Sequence, residues 1–209
     1  MNIFWFRRDL RIEDNVGLFH ALNSAEEVLP IFIFDEHILS QLPKEDARVS
    51  FIHAQLEKIQ AELNTVGKSL AVFHGKPIEV FEKLITENKI SAVYTNHDYE
   101  PYARNRDKEL NQLFVSKEIS FLTSKDQVIF EKSEVVKDDG TPYVVFTPYS
   151  KKWKENFKKI KLVHYPSEEK LDKIAQHSYP FLSLADIGFE KSNIKISAFD
   201  VSTTLIQNY

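Results

Sequence analysis

Six charged residues, Arg7, Arg8, Asp9, Arg11, Glu13 and Asp14, stand directly behind the apolar run Ile3-Phe4-Trp5-Phe6. A second polar cluster, Asn96-His97-Asp98-Tyr99-Glu100-Pro101 and on to Arg104, follows the apolar stretch Ile90 to Tyr94. Charge at the exit of a buried strand can contact a ligand, because open α/β sheets bind at the carboxyl ends of their strands. The same arginines can instead be held by Asp9, Glu13 and Asp14 as part of the fold. Other chemistries have no visible apparatus. There are five glycines, with neither GxGxxG nor GxxxxGK[ST], and no GxSxG elbow. The seven histidines fall in no metal-binding spacing, and there is no cysteine to supply a thiolate or a disulfide. His74-Gly75-Lys76-Pro77 can offer amides to a phosphate, but a plain strand-to-helix turn explains the Gly and Pro as well.

The elements that must carry these clusters are written in the periodicities. Ile3 to Phe6 has no polar alternation, as suits a strand covered on both faces. Asn15 can cap a short helix through Leu22 that turns Val16, Leu18, Phe19 and Leu22 inward. A second strand runs from Val28 to Phe34, with Pro30 as an oddity that suits an unpaired position. Val49, Ile52, Leu56, Ile59, Leu63 and Val66 repeat at three and four, which predicts a long helix ended by Gly67. Leu70 to His74, Ile90 to Tyr94 and Ile119 to Leu122 give further strands, with helices after Pro77 and Pro101. Five strands alternating with helices predict an α/β fold: a Rossmann-like, doubly wound five-stranded parallel sheet of order 3-2-1-4-5 with helices on both faces. The two polar clusters then flank one crevice.

Past residue 122 the pattern weakens. Val128-Ile129-Phe130 and Tyr143 to Phe146 read as a hairpin around the Asp138-Asp139-Gly140 turn, followed by a lysine-rich helix from Pro148 to about Ile160. Trp153, Phe157 and Ile160 predict one buried stripe on it, with lysines in solvent. Residues 161–209 read as a partly ordered tail or linker, with an amphipathic helix suggested by Phe199, Val201, Leu205 and Ile206. The apolar runs are too short to span a bilayer and no secretory signal is evident, so the expected address is the cytoplasm. A formal charge of −4 argues against nonspecific DNA binding by this chain alone.

Three motifs carry a family resemblance. Trp5-Phe6-Arg7-Arg8-Asp9-Leu10-Arg11 with Asp14-Asn15, Asn96-His97-Asp98-Tyr99-Glu100-Pro101-Tyr102 with Arg106-Asp107, and Tyr143-Val144-Val145-Phe146-Thr147-Pro148-Tyr149 with Trp153 closely resemble the N-terminal half of DNA photolyases and cryptochromes. The resemblance spans residues 1 to about 165. It implies an α/β domain that holds an antenna chromophore, ahead of a helical domain that holds FAD and damaged DNA. In that family, light absorbed by the antenna passes to reduced flavin, which donates an electron to a pyrimidine dimer. The expected division is 1–130 for the domain core, 131–165 for a hairpin and helix of the same domain, and 166–209 for a linker towards the FAD-binding domain. The chain is thus expected to be the light-harvesting part of a deoxyribodipyrimidine photolyase, a monomer inactive in repair by itself. The alternatives are a signalling cryptochrome and a free-standing flavin-binding module.

The resemblance also implies a pocket. Its folate-binding branch carries an Asn-Glu pair where this chain has Tyr102 and Ala103, which disfavours methenyltetrahydrofolate. FMN or 8-hydroxy-5-deazaflavin is favoured instead. The residues carried over as its lining are Arg7, Arg8, Phe34, Asp35, Arg48, Asp98, Glu100 and Arg104, with Asp98 and Glu100 as acceptors for a ribityl chain or ring N–H. Asp9, Arg11 and Asp14 are expected to brace the first loop.

Overall fold

The chain enters a strand at its second residue, and in the computed structural model, which describes residues 1–194, every residue of that strand, β1 (Asn2–Phe6), is buried. Successive side chains alternate between the two faces of a sheet. Phe4 and Phe6 enter one core with Leu18, Phe32, Phe34 and Leu56. Ile3 and Trp5 enter the other with Ile31, Ile33, Phe81 and Phe114. A polar residue on either side would therefore be buried, which is why the run shows no alternation.

Four more strands complete the sheet: β2 (Val28–Asp35), β3 (Ala71–Gly75), β4 (Ala92–Asn96) and β5 (Ser120–Ser124). All neighbours pair in parallel, in the expected order β3-β2-β1-β4-β5. Helices α1 (Val16–Leu22) and α3 (Ala47–Asn64) cover one face, and between them α2 (Glu36–Leu39) follows directly on β2. The other face is covered by α4 (Pro77–Glu87) and α5 (Pro101–Ser116). There Trp5, Phe81 and Phe114 meet edge to face, with ring centroids 5.2 and 5.0 Å apart. Such pairs add about 0.5–1.5 kcal/mol each beyond the area they bury.

Pro30 sits inside β2, opposite Phe4 of β1. The Val28 carbonyl accepts from Ala175 on the side away from β1, and the two-residue period turns position 30 the same way. Pairing with β3 starts only at Ile31, so the missing donor faces the stretch before β3 begins.

Four expectations need correction. Residues 131–165 contain no hairpin: Lys132–Glu134 is a 3-10 turn, no strand forms at 128–130 or 143–145, and α6 (Phe146–Phe157) follows. Val144, Val145 and Phe146 are 88%, 58% and 78% exposed, so this run has no surface to bury against and gains nothing to offset the ordering cost of a strand. The stripe on α6 is only half-buried. Trp153 stacks on Phe157 at 5.1 Å and meets Phe130 edge-on at 5.5 Å, while Ile160 lies past the helix end and is exposed.

Residues 167–190 are no linker. A second 3-10 segment, Ser167–Lys173, leads into buried Ile174 and Ala175, and Ile187 and Phe189 join the α1/α3 core. Ile174 bridges Val28, the Ala175 amide donates to the Val28 carbonyl at 2.8 Å, and the Val72 amide donates to the Pro180 carbonyl at 3.2 Å. This strap extends the sheet where β3 is too short to cover β2. The amphipathic segment suggested at 199–206 lies outside the described residues. Val66, expected inside, is half-exposed because α3 ends at Asn64 and the chain turns at Gly67, whose φ is +70°.

Candidate functional site

The loop after β1 is built around a buried polar network. The Asp9 carboxylate accepts from the Arg7 amide at 2.9 Å, from Asn15 Nδ2 at 3.1 Å and from Asn96 Nδ2 at 2.5 Å. Asn15 caps α1 by accepting from the Leu18 amide at 3.1 Å, and its Oδ1 also accepts from Asn96 Nδ2 at 2.8 Å. Asn96 Oδ1 in turn accepts from the Gly17 amide at 2.9 Å. A Cβ at Gly17 would stand 2.7 Å from that oxygen and 2.9 Å from Phe4, so α1 approaches β4 this closely only with glycine there. Between β1 and β4 the crevice on the α1 side is therefore filled by protein.

Arg7 takes part in this bracing and also borders the crevice described below. Its Nη1 donates to both oxygens of Asp107 at 2.7 Å and its Nη2 donates to the Asn96 carbonyl. Burial pushes its pKa down and Asp107 opposes that shift, so the guanidinium stays charged and paired. Arg11 and Asp14 brace as expected. Arg11 grips Asp126 with two contacts at 2.8 Å, Asp126 also accepts from the Val16 amide at 3.0 Å, and Asp14 accepts from the Tyr165 amide at 2.8 Å.

The open crevice lies over the carboxyl ends of β1 and β2. An inner cavity of about 180 Å³ has a floor of Trp5, Phe6, Phe32 and Phe34 and a roof of Ile38 and Leu39 from α2. Its polar rim is Arg7, Arg8, Asp35, Asp98 and Arg106. An outer cavity of about 460 Å³ shares Arg8, Ile38, Asp98 and Arg106 with it and adds His37, Leu42, Glu100 and Tyr102. The shared lining makes one crevice with an apolar depth and an ionic mouth, within the size range of small-molecule sites.

Local structure holds the roof in place. Asp35 caps α2 by accepting from the His37 amide at 3.1 Å and also accepts from the Tyr102 hydroxyl at 2.6 Å. Burial, then that carboxylate, push the Tyr102 phenol well above its ordinary value, so it remains a donor. His37 stacks on the Tyr102 ring at 4.7 Å. Arg8, half-exposed, stands 3.4 Å from Glu100 and 3.8 Å from Asp98 across the mouth. Asp98 is mostly buried and accepts from the Glu100 amide at 3.2 Å.

Of the expected lining, the structure brings Arg7, Arg8, Phe34, Asp35 and Asp98 around the inner cavity and Glu100 around the outer one. Arg104 is not there. It lines a neighbouring cavity of about 340 Å³ with Tyr99, Lys108 and Thr123, which meets the inner cavity at Arg7 and Asp98. Arg48 is not there either. It points into solvent and pairs with its own cap residue Asp46, Nε at 3.0 Å and Nη2 at 2.7 Å, which holds the Asp46 carboxyl at about 2. His37, Ile38, Tyr102 and Arg106 were missed as lining. Tyr102 and Arg106 stand four apart just after Pro101, which opens a helix and puts them on one face.

Comparison with known proteins decides the family. The family model for DNA photolyase matches residues 2–170. The chain belongs to the DNA photolyase family. A deoxyribodipyrimidine photo-lyase of Synechococcus sp. (strain PCC 6301) is 31% identical over 151 residues, covering 72% of this chain and 31% of that protein. An uncharacterised 31.6 kDa protein of Synechococcus sp. (strain PCC 6716) is 31% identical over 198 residues, covering 95% of this chain and 70% of that one. Among solved structures, a class III photolyase from Agrobacterium tumefaciens superposes with a TM-score of 0.73 at 26% identity, covering 88% of this chain and 37% of that one. An archaeal photolyase from Sulfolobus tokodaii, solved with two FAD molecules, gives 0.65 at 28% identity, covering 87% and 43%. The chain thus spans well under half the length of these photolyases. Among the described residues no His, Asp and Glu side chains cluster to hold a metal ion, and no helix is long and apolar enough to cross a membrane.

Proposed function

We propose that this chain is the light-harvesting domain of a photolyase and holds a flavin-type tricyclic chromophore in the crevice over β1 and β2. One observation carries the reading: a deep apolar slot whose mouth is lined by Arg8, Asp98, Glu100 and Arg106. Flat aromatic rings suit the Trp5, Phe34 and Ile38 walls, and the ionic mouth suits ring carbonyls, a ring N–H or a ribityl chain. A folate fits less well. Ala103 is buried in α5 and the Tyr102 hydroxyl is committed to Asp35, so neither offers the paired donor and acceptor of the folate-binding branch. When bound, the chromophore would supply absorption of light. Asp98 would accept from its ring N–H, Arg8 would screen Asp98 and Glu100 from each other, and α2 would exclude water from the rings.

In this reading the residues that repair DNA belong to the part of photolyases beyond the matched portion, with an FAD-binding helical domain acting on a pyrimidine dimer. The strap packs on the same core as the sheet, through Leu171, Ile174, Ile187 and Phe189. By itself the chain is expected to split no dimers in light. The free-standing alternative has one observation in its favour: this chain covers 70% of a 31.6 kDa relative.

The purified chain should be titrated with FMN, 8-hydroxy-5-deazaflavin and methenyltetrahydrofolate, with chromophore fluorescence as the readout. The proposal expects saturation at one equivalent by at least one of the first two. Saturation by the folate alone, or by none, would overturn it.

A further inference from the structure

Arg106 is unusual among the residues of the crevice. Its side chain is only 10% exposed, yet it lines the inner cavity, the outer cavity and a third of about 470 Å³ between α2 and the start of α4. The guanidinium carbon lies 4.6 Å from the Trp5 ring centre and 5.8 Å from that of Tyr102, so two aromatic rings hold its position. Its Nε and Nη2 reach Asp107 at 3.3 and 3.1 Å, but that carboxylate already accepts twice from Arg7 at 2.7 Å. Two buried cations therefore share one anion.

The remaining nitrogen, Nη1, has no hydrogen-bond partner among the described residues. It is not sealed in either: among the described residues, the fully buried unpartnered side-chain atoms are Asn2 Oδ1 and Arg7 Nε. Nη1 thus keeps accessible surface in a side chain that is otherwise buried, at the edge of cavities with aromatic and aliphatic walls. A charged donor in such surroundings gains from an oxygen acceptor far more than an exposed arginine does. The two rings also fix its direction before any ligand arrives, which reduces the ordering cost of binding.

We infer that Arg106 is a specificity-determining residue of the chromophore crevice. Its Nη1 donates to a ring carbonyl or ring oxyanion, so the crevice selects tricyclic ligands that carry an edge oxygen over bare aromatic tricycles of the same size. The inference rests on the chromophore reading above.

The test compares lumiflavin, which has three fused rings and two ring carbonyls, with phenazine, which has three fused rings and none. The wild-type chain binds lumiflavin more tightly. Arg106→Met keeps the aliphatic stem and lowers lumiflavin affinity by about 10- to 100-fold, while phenazine affinity changes by less than about threefold. Arg106→Lys keeps the charge without the fork and restores part of the loss; should the Met variant fail to fold, the Lys variant makes the same comparison with a smaller loss. Equal weakening of both ligands would show a packing role and overturn the inference, as would unchanged lumiflavin binding. A wild-type chain that binds neither ligand defeats the chromophore reading and this inference together, whereas lumiflavin binding indifferent to Arg106 defeats the inference alone.

Discussion

The loop after β1 and the mouth of the crevice use the same residue types to opposite ends. In the loop, Asp9, Asn15 and Asn96 satisfy one another and the surrounding amides, and Arg7 and Arg11 each have a carboxylate gripped with two contacts. At the mouth, Arg8 meets Asp98 and Glu100 only at 3.8 and 3.4 Å, and Arg106 shares its carboxylate with a neighbour. Saturated, buried charge holds a fold. Loosely paired charge beside an apolar slot can exchange its partners for a ligand at little cost.

Substitutions can separate the two regions. The largest effect is expected from Asp9→Ala, which strands the Arg7 amide and takes one acceptor each from the side-chain amides of Asn15 and Asn96 in a buried setting; unfolding by urea should show a loss of about 3 kcal/mol. Gly17→Ala comes next. Its Cβ must displace Asn96 or Phe4, and about 1–3 kcal/mol of stability should go with it, read by the same titration. A loss below about 0.5 kcal/mol for either variant would show that the network is not what holds α1 to the sheet.

Arg8→Ala should behave in the contrary way. Its pairs are long and partly solvated, so the unfolding free energy should move by less than about 1 kcal/mol, while chromophore affinity drops several-fold, to about a tenth at most. Stability lost without affinity would place Arg8 with the braces. The smallest effect belongs to Arg48→Ala, which should leave chromophore affinity unchanged because the side chain is outside the crevice. Its signature is in acid. Asp46 is held below its ordinary value by Arg48, so this pair's stabilisation is complete above about pH 4 and fades as pH falls towards about 2. The difference in melting temperature between wild type and Arg48→Ala should shrink over that window; a difference that grows towards low pH would contradict the assignment.

How far the chain could be read in advance follows the same division. The sheet order was legible because β1 and β2 are apolar throughout and the helices between strands repeat at three and four. The expected pocket was partly legible, since Arg8, Asp35, Asp98 and Glu100 stand at strand exits that topology brings together. Arg7 and Arg8 could not be told apart. They are consecutive residues at a strand end, and which one turns to Asp107 depends on where α5 lies. Arg48 looked available because its partner, Asp46, is a local helix cap that spacing does not flag. The strap at 167–190 was invisible for another reason: Leu171, Ile174, Ala175, Ile187 and Phe189 follow no period, each filling a separate gap at the edge of the α1/α3 core.

A chromophore held in the crevice lies against Trp5. The chain has two tryptophans, and Trp153 lies on α6. A Trp153→Phe variant leaves Trp5 as the sole indole reporter in the floor of the inner cavity. Titrating that variant with FMN or 8-hydroxy-5-deazaflavin should quench the Trp5 emission saturably, with one ligand per chain. Trp5 emission that stays constant while the ligand binds would place the chromophore elsewhere and contradict the assignment of this crevice.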